Sequence, residues 1–259
     1  MGIDFTDREL IQMISRFLWP LFRIGAFLMV LPLFGTQLVA QRVRVGLAIL
    51  ITLLVMPLLP PMPIIDLLSL QTYLIIAEQI VLGVILAFLV QMLFQIFVLT
   101  GQMIAMQMGL GFASMVDPSN GVSVTILSSF YLMLTSLLFF ASNVHLVIIE
   151  ILVQGFYALP VDTQWHSVDS YFHLVSLGSW MFASALFIAI PAVTAILIIN
   201  FSFGVVTRAA PQMNIFVLGF PFTMLMGLLI IWISLTGFMP QYQAIVSECL
   251  TILKGMITV

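Results

Sequence analysis

Residues 79–116 read QIVLGVILAFLVQMLFQIFVLTGQMIAMQMGLGFASMV, with no Asp, Glu, Lys or Arg among them. A bilayer core about 30 Å thick is crossed by roughly 20 apolar residues in a helix, so this run outlasts a single span. Extended to residues 70–108 as one helix, it would reach about 57 Å at 1.5 Å per residue. Tilt does not absorb that length. Such a helix either projects from the membrane into a protein complex or is broken within it, and both arrangements favour burial against protein.

The rest of the chain follows this pattern. Residues 118–149, 170–207 and 209–247 are equally free of charge, and the 259-residue chain is 63% apolar and only 7% charged. Soluble domains carry about 25% charged residues, so no soluble surface can be built here. Apolar segments run at 17–34, 43–60, 70–108, 122–157, 174–207 and 213–239, followed by a short amphipathic tail from Gln241. In lipid every backbone amide needs a partner within its own element or a closed barrel. These lengths leave little room for strands of about 10 residues. The expected fold is therefore an all-α membrane protein with about six long, kinked helical segments arranged as hairpins.

Prolines punctuate the segments. Pro57, Pro60, Pro61 and Pro63 predict a stiff turn after the second segment, because proline lacks a donor and disfavours helix in the residue before it. Pro191 and Pro221 fall inside apolar runs and predict kinks or breaks. Gly83/Ala87 and Ala185/Ala189 have the spacing at which helix backbones approach closely. Arg42, Arg44 and Arg208 fall on one side if segments two to six each cross once, which reads as cytoplasmic. Asp4, Asp7 and Glu9 make a poor signal-peptide start, so insertion is expected to be intrinsic.

Few residues carry chemistry. The net charge of -3 is small and dispersed, which gives no basic stripe for nucleic acid, and the lone Cys249 excludes an intramolecular disulfide or a cysteine-rich metal site. His145 and Glu150 lack the i, i+4 spacing of a helical metal pair. No nucleophile elbow or phosphate-binding loop is present. The chain is expected to be no enzyme and to need no cofactor. Arg23, Glu78 and Glu150 lie inside apolar segments, where ionisable groups are costly, and are candidates for buried polar or interface positions.

The stretch GQMIAMQMGLGFASMVDPSNG (101–121) is the most informative. Glycines at 109, 111 and 121 interrupt two apolar helices, and Asp117 to Gly121 is turn chemistry. Asp117 suits the N-cap of the next helix and Pro118 its first position. Leu110, Phe112, Met115 and Val116 make the loop apolar, so it needs burial in protein or a cavity wall. Upstream, Met92, Ile96, Leu99, Met103 and Met106 recur at four- and three-residue steps along one helix face, beside a stripe of Gln91, Gln95 and Gln102. This face serves either helix packing or a pore.

Three stretches, RVRVGLA (42–48) followed by PLLP (57–60), GLGFASMVDP (109–118) and RAAPQMNIFVLGFP (208–221), resemble the FliR family of flagellar and related type III export systems. The resemblance implies a hetero-oligomer with FliP and FliQ around a central pore, joined by FlhB, that exports unfolded flagellar proteins. It implies a FliP-like portion at about 1–160 and a FliQ-like hairpin at 174–239, within a single export-gate domain whose C-terminal tail is 240–259. The place implied is the bacterial inner membrane, in contact with lipid at the flagellar basal body, with the complex projecting to the periplasmic side. Residues 109–121 would form a pore plug, so that Gly109, Leu110, Gly111, Phe112, Met115, Asp117 and Pro118 gate the channel. Arg208, Pro211, Gln212 and Asn214 would form a cytoplasm-facing hairpin turn. The alternative is a stand-alone small-solute transporter, which should show paired internal repeats and polar groups near the midplane. Neither is evident in the sequence.

Overall fold

The computed structural model describes residues 7–32, 39–63, 69–111, 125–161, 168–209 and 215–258. Phe112, Met115, Asp117, Pro118, Pro211, Gln212 and Asn214 lie outside these residues. The described residues form helices α1 (Asp7–Val30), α2 (Gln41–Val55), α3 (Leu70–Gln107), α4 (Ile126–Ala141), α5 (Val144–Ala158), α6 (Val168–Ala209), α7 (Ile215–Ser234) and α8 (Phe238–Thr258), with no strand among them. Among the described residues five stretches are long and apolar enough to cross a membrane: Gln12–Val30, Gln41–Leu58, Leu70–Gln107, Leu174–Val206 and Gly219–Ile257. Counting α4 and α5 as one broken span makes six.

The structure departs from the sequence-based segments in three places. The run 122–157 is two helices, because the chain breaks at Asn143, which takes a left-handed conformation at φ 55°. Asn tolerates that conformation better than most residues. The short tail expected from Gln241 is the 21-residue α8, joined to α7 through the 3-10 turn Leu235–Gly237. Tyr242, Val246, Cys249, Leu253 and Ile257 bury one of its faces, while Glu248 and Lys254 stay exposed. Pro191 and Pro221 lie within the continuous helices α6 and α7. Neither proline breaks its helix, so of the two expected outcomes, a kink or a break, the break is excluded.

By packing, the chain divides into two units that interleave in sequence. One comprises 1–91, 143–174 and 249–259; the other comprises 92–142 and 175–248. This is a division by contacts, whereas 1–160 and 174–239 is a division by resemblance.

In the first unit α1 buries a stripe of Ser15, Trp19, Arg23 and Phe27 at four-residue steps, and α1 packs on α2. At Gly83 of α3 a Cβ would collide with the carbonyl oxygen of Arg23, so α1 and α3 meet backbone to backbone. Ala87 is fully buried beside this contact, as the small-residue spacing predicts. The proline turn does end α2: helix gives way to a 3-10 turn at Met56–Leu58. There the Leu58 carbonyl accepts a 2.5 Å hydrogen bond from the Tyr157 hydroxyl. Ile257 of α8 packs over Gly155 of α5, where a Cβ would lie 3.5 Å from it.

In the second unit Phe97 of α3 stacks with Phe238 and Tyr242 of α8, at centroid distances of 5.4 and 6.0 Å. Phe94 meets Phe139 of α4 at 5.2 Å. The Thr100 hydroxyl donates to the carbonyl of Ala185 on α6 at 3.2 Å, and Ala185 and Ala189 are both fully buried. Small buried residues and an interhelical hydrogen bond are what hold helices together where lipid tails remove the hydrophobic driving force.

Candidate functional site

The C-terminal end of α3 is built by its own sequence. Gly109 takes φ 83°, a conformation that costs an L-residue about 1–2 kcal/mol. The Gly109 amide donates to the Met106 carbonyl at 3.0 Å and the Leu110 amide to the Ala105 carbonyl at 2.9 Å. That pair of bonds is a Schellman cap, which satisfies carbonyls a helix end otherwise leaves open. A further open carbonyl, that of Gln107, accepts from the Asn200 side-chain amide of α6 at 3.2 Å. The glycine is also needed for space, since a Cβ at 109 would lie 2.5 Å from the Phe220 ring of α7.

The next helix is seated against α3 just as closely. A Cβ on Gly101 would lie 2.8–2.9 Å from backbone atoms of Leu127 and Ser128. Thr125 caps α4 by accepting from the Ser128 amide at 3.3 Å, and the Ser128 hydroxyl donates to the Val98 carbonyl at 3.0 Å. Met108 is buried and lies across Gly227 of α7, where a Cβ would be 2.6 Å from its side chain. Beside it is an almost wholly apolar cavity of about 420 Å³ that includes Met108, Leu110, Ile126, Phe130, Met224 and Trp232. Both Leu110 and Ile126, which flank the segment 112–124, line this cavity.

The sequence-predicted helix face is not uniform. Met92 and Ile96 are buried, Leu99 and Met103 are half-buried, and Met106 is 61% exposed. Gln95 is exposed and Gln91 and Gln102 are half-buried, so the glutamine stripe continues the exposed apolar stripe of Leu70, Leu74, Val81, Val84 and Phe88. The methionine seam therefore winds from core to surface as it nears Gly109.

The three ionisable candidates separate. Arg23 is 1% exposed. Its Nε donates to the Gln79 side-chain oxygen at 2.7 Å, Nη1 to the Gly155 carbonyl at 3.1 Å and Nη2 to the Leu159 carbonyl at 3.0 Å. The Phe156 ring centroid lies 4.1 Å from the guanidinium carbon. No carboxylate is among these partners. The charge is compensated by the C-terminal end of α5, where carbonyls and the helix dipole favour a cation, together with an amide and an aromatic face. Glu78 is half-buried, and Glu150 is exposed and accepts from the Gln154 amide at 3.1 Å. Arg208 is exposed in the last turn of α6.

Sequence reasoning missed Gln79, Asn200, Phe220 and Gly227. Gln79 and Asn200 carried a signal, as polar residues inside apolar runs. Phe220 and Gly227 matter through contacts with the distant Gly109 and Met108. No group of three or more potential metal ligands occurs among the described residues.

Residues 14–249 match the family described as bacterial export proteins, family 1. The chain is 33% identical to the flagellar biosynthetic protein FliR of Pectobacterium carotovorum, over 99% of the chain and 98% of that protein. It is 31% identical to the FliR of Escherichia coli K12 over the same shares. With the FliR of Bacillus subtilis it shares 26% identity over 82% of the chain and 83% of the relative.

Proposed function

The chain belongs to the bacterial export proteins, family 1, and from that premise we propose that it is a structural and gating subunit of the flagellar type III protein-export channel. In this reading it assembles with FliP and FliQ around the pore through which unfolded flagellar proteins leave the cell, and FlhB joins the assembly. It sits in the inner membrane at the flagellar basal body and projects to the periplasmic side. The observation that carries the reading is the match across nearly the whole chain to relatives of the same length that bear the name flagellar biosynthetic protein.

Two physical features support it. Large apolar side chains are exposed on α2, α3, α6 and α7, among them Leu54, Tyr73, Phe187, Phe201 and Trp232. Exposed apolar side chains in such number suit contact with lipid or with protein partners. The segment after α3 is rooted in a capped, sterically fixed helix end and flanked by an apolar cavity. That suits the plug role of 109–121, in which Phe112 and Met115 supply bulk and methionine thioethers yield to a passing chain. Met92, Gln95, Gln102, Met103 and Met106 then approach the pore along α3. Glu78 and Glu150 serve as interface positions, and Arg208 to Asn214 form the cytoplasm-facing turn.

Co-expression tests the assembly. With FliP and FliQ present the tagged chain should purify as one complex, and without them it should aggregate or be degraded. Equal yield and monodispersity in both cases would defeat the assembly reading. Recovery as a stable monomer whose stability depends on a small solute would favour a transporter instead.

A further inference from the structure

The second unit contains a cavity unlike the apolar one beside Gly109. About 220 Å³ in volume, it opens where the 3-10 turn Leu235–Gly237 interrupts the apolar stretch Gly219–Ile257, opposite Pro191 of α6. Tyr131, Ser234, Thr236 and Gln241 give it hydrogen-bonding groups, and none of its lining residues is charged. Tyr131 is 3% exposed, and its ring is fixed between Phe130 at 5.9 Å and Phe238 at 5.7 Å. Its hydroxyl is not among the sealed, unpartnered polar atoms of the described chain; it has no hydrogen-bond partner among the described residues, and neither do the side chains of exposed Ser234 and half-buried Gln241. Thr236, by contrast, is satisfied by the Ile233 carbonyl at 2.7 Å.

We propose that this cavity is a socket for an uncharged hydrogen-bonding side chain, Ser, Thr, Asn or Gln, presented by a helix of another subunit of the export assembly. The inference rests on the assembly reading above. The exposed lining residues include the apolar Pro191 and Ile233 beside the polar Ser234 and Thr236, so the occupant combines apolar surface with a polar group. An acyl chain covers that surface but leaves the phenol and the amide unsatisfied, at about 1–3 kcal/mol for each buried group. A helix meets both demands, because its own backbone is paired and one side chain reaches inward. The neutral lining excludes an ion pair. At Gly237 nothing lies within 4 Å of a Cβ position, which leaves room for a close approach at the rim.

The test places a photoreactive benzophenone amino acid at Ile233, on the rim, in cells carrying the rest of the export apparatus. A single protein-sized adduct is expected. Combining Tyr131→Phe with Gln241→Leu should reduce that adduct at least about fivefold, the equivalent of roughly 1 kcal/mol. The steady-state amount of the chain should not change, because the deleted groups bond nothing inside it. Adducts to lipid alone, or an undiminished protein adduct in the double variant, would overturn the socket. Co-purification of the unsubstituted chain with FliP in the same cells separates the two readings. If the complex is retained without a protein adduct at Ile233, the socket alone fails; if it is lost, both fail.

Discussion

The surroundings of Arg23 and the end of α3 solve one problem in opposite ways. Both must satisfy helix-end carbonyls inside an apolar chain. Around Arg23 a buried cation spans an amide and two carbonyls of α5, with an aromatic face beside it. At the end of α3 no charge is used: a left-handed glycine, one asparagine amide and close backbone contacts complete the cap. The first arrangement is rigid, since losing one member strands the others. The second is held by sterics and thioether packing, next to an apolar cavity lined by Leu110. Under the proposed function the first is part of a fixed frame and the second the root of a closure.

The largest effect is expected at Arg23. Arg23→Met should cost about 3–5 kcal/mol, because Gln79 and the carbonyls of Gly155 and Leu159 lose their shared donor. The measurement is the amount of chain in membranes and the melting temperature of the purified complex. Arg23→Lys should rescue only part of the loss, since an ammonium cannot reproduce the planar fork. Full rescue by lysine would show that charge alone matters there.

Gly101→Val should follow, at about 1–3 kcal/mol, because the added atoms press on the backbone of α4 rather than on a movable side chain. The readout is again the melting temperature of the complex. Gly109→Ala should cost about 1–2 kcal/mol through its positive φ, with the Phe220 ring adding to the penalty. Pairing Gly109→Ala with Phe220→Ala should recover only the steric part. Met108→Leu keeps the volume and should cost less than about 1.5 kcal/mol. If it proves as damaging as Arg23→Met, the end of α3 is as rigid as the surroundings of Arg23.

The sequence made much of this legible. Charge-free runs marked the helices, Gly83 marked a true backbone contact, Ala87, Ala185 and Ala189 marked buried helix faces, and Gly109 was readable as a helix stop. The division of 122–157 was not, because Asn143 carries only a weak turn preference and lies in an unbroken apolar run. Pro191 and Pro221 were legible as points where a helix loses a hydrogen bond, but whether the chain breaks there is not local information, and both helices continue through them. The partners of Arg23 were hidden for a different reason. A guanidinium inside an apolar segment announces the need for acceptors, but two of those acceptors are backbone carbonyls more than a hundred residues away, and carbonyls have no sequence signature.

The most direct test of the account is ion leak through the resting channel. Phe112 and Met115 are replaced together by serine in the full assembly, and ion conductance of the membrane is measured per amount of purified complex. The account predicts a raised conductance with assembly unchanged, because small polar side chains admit water where apolar bulk excluded it. Normal assembly with no added conductance would contradict it.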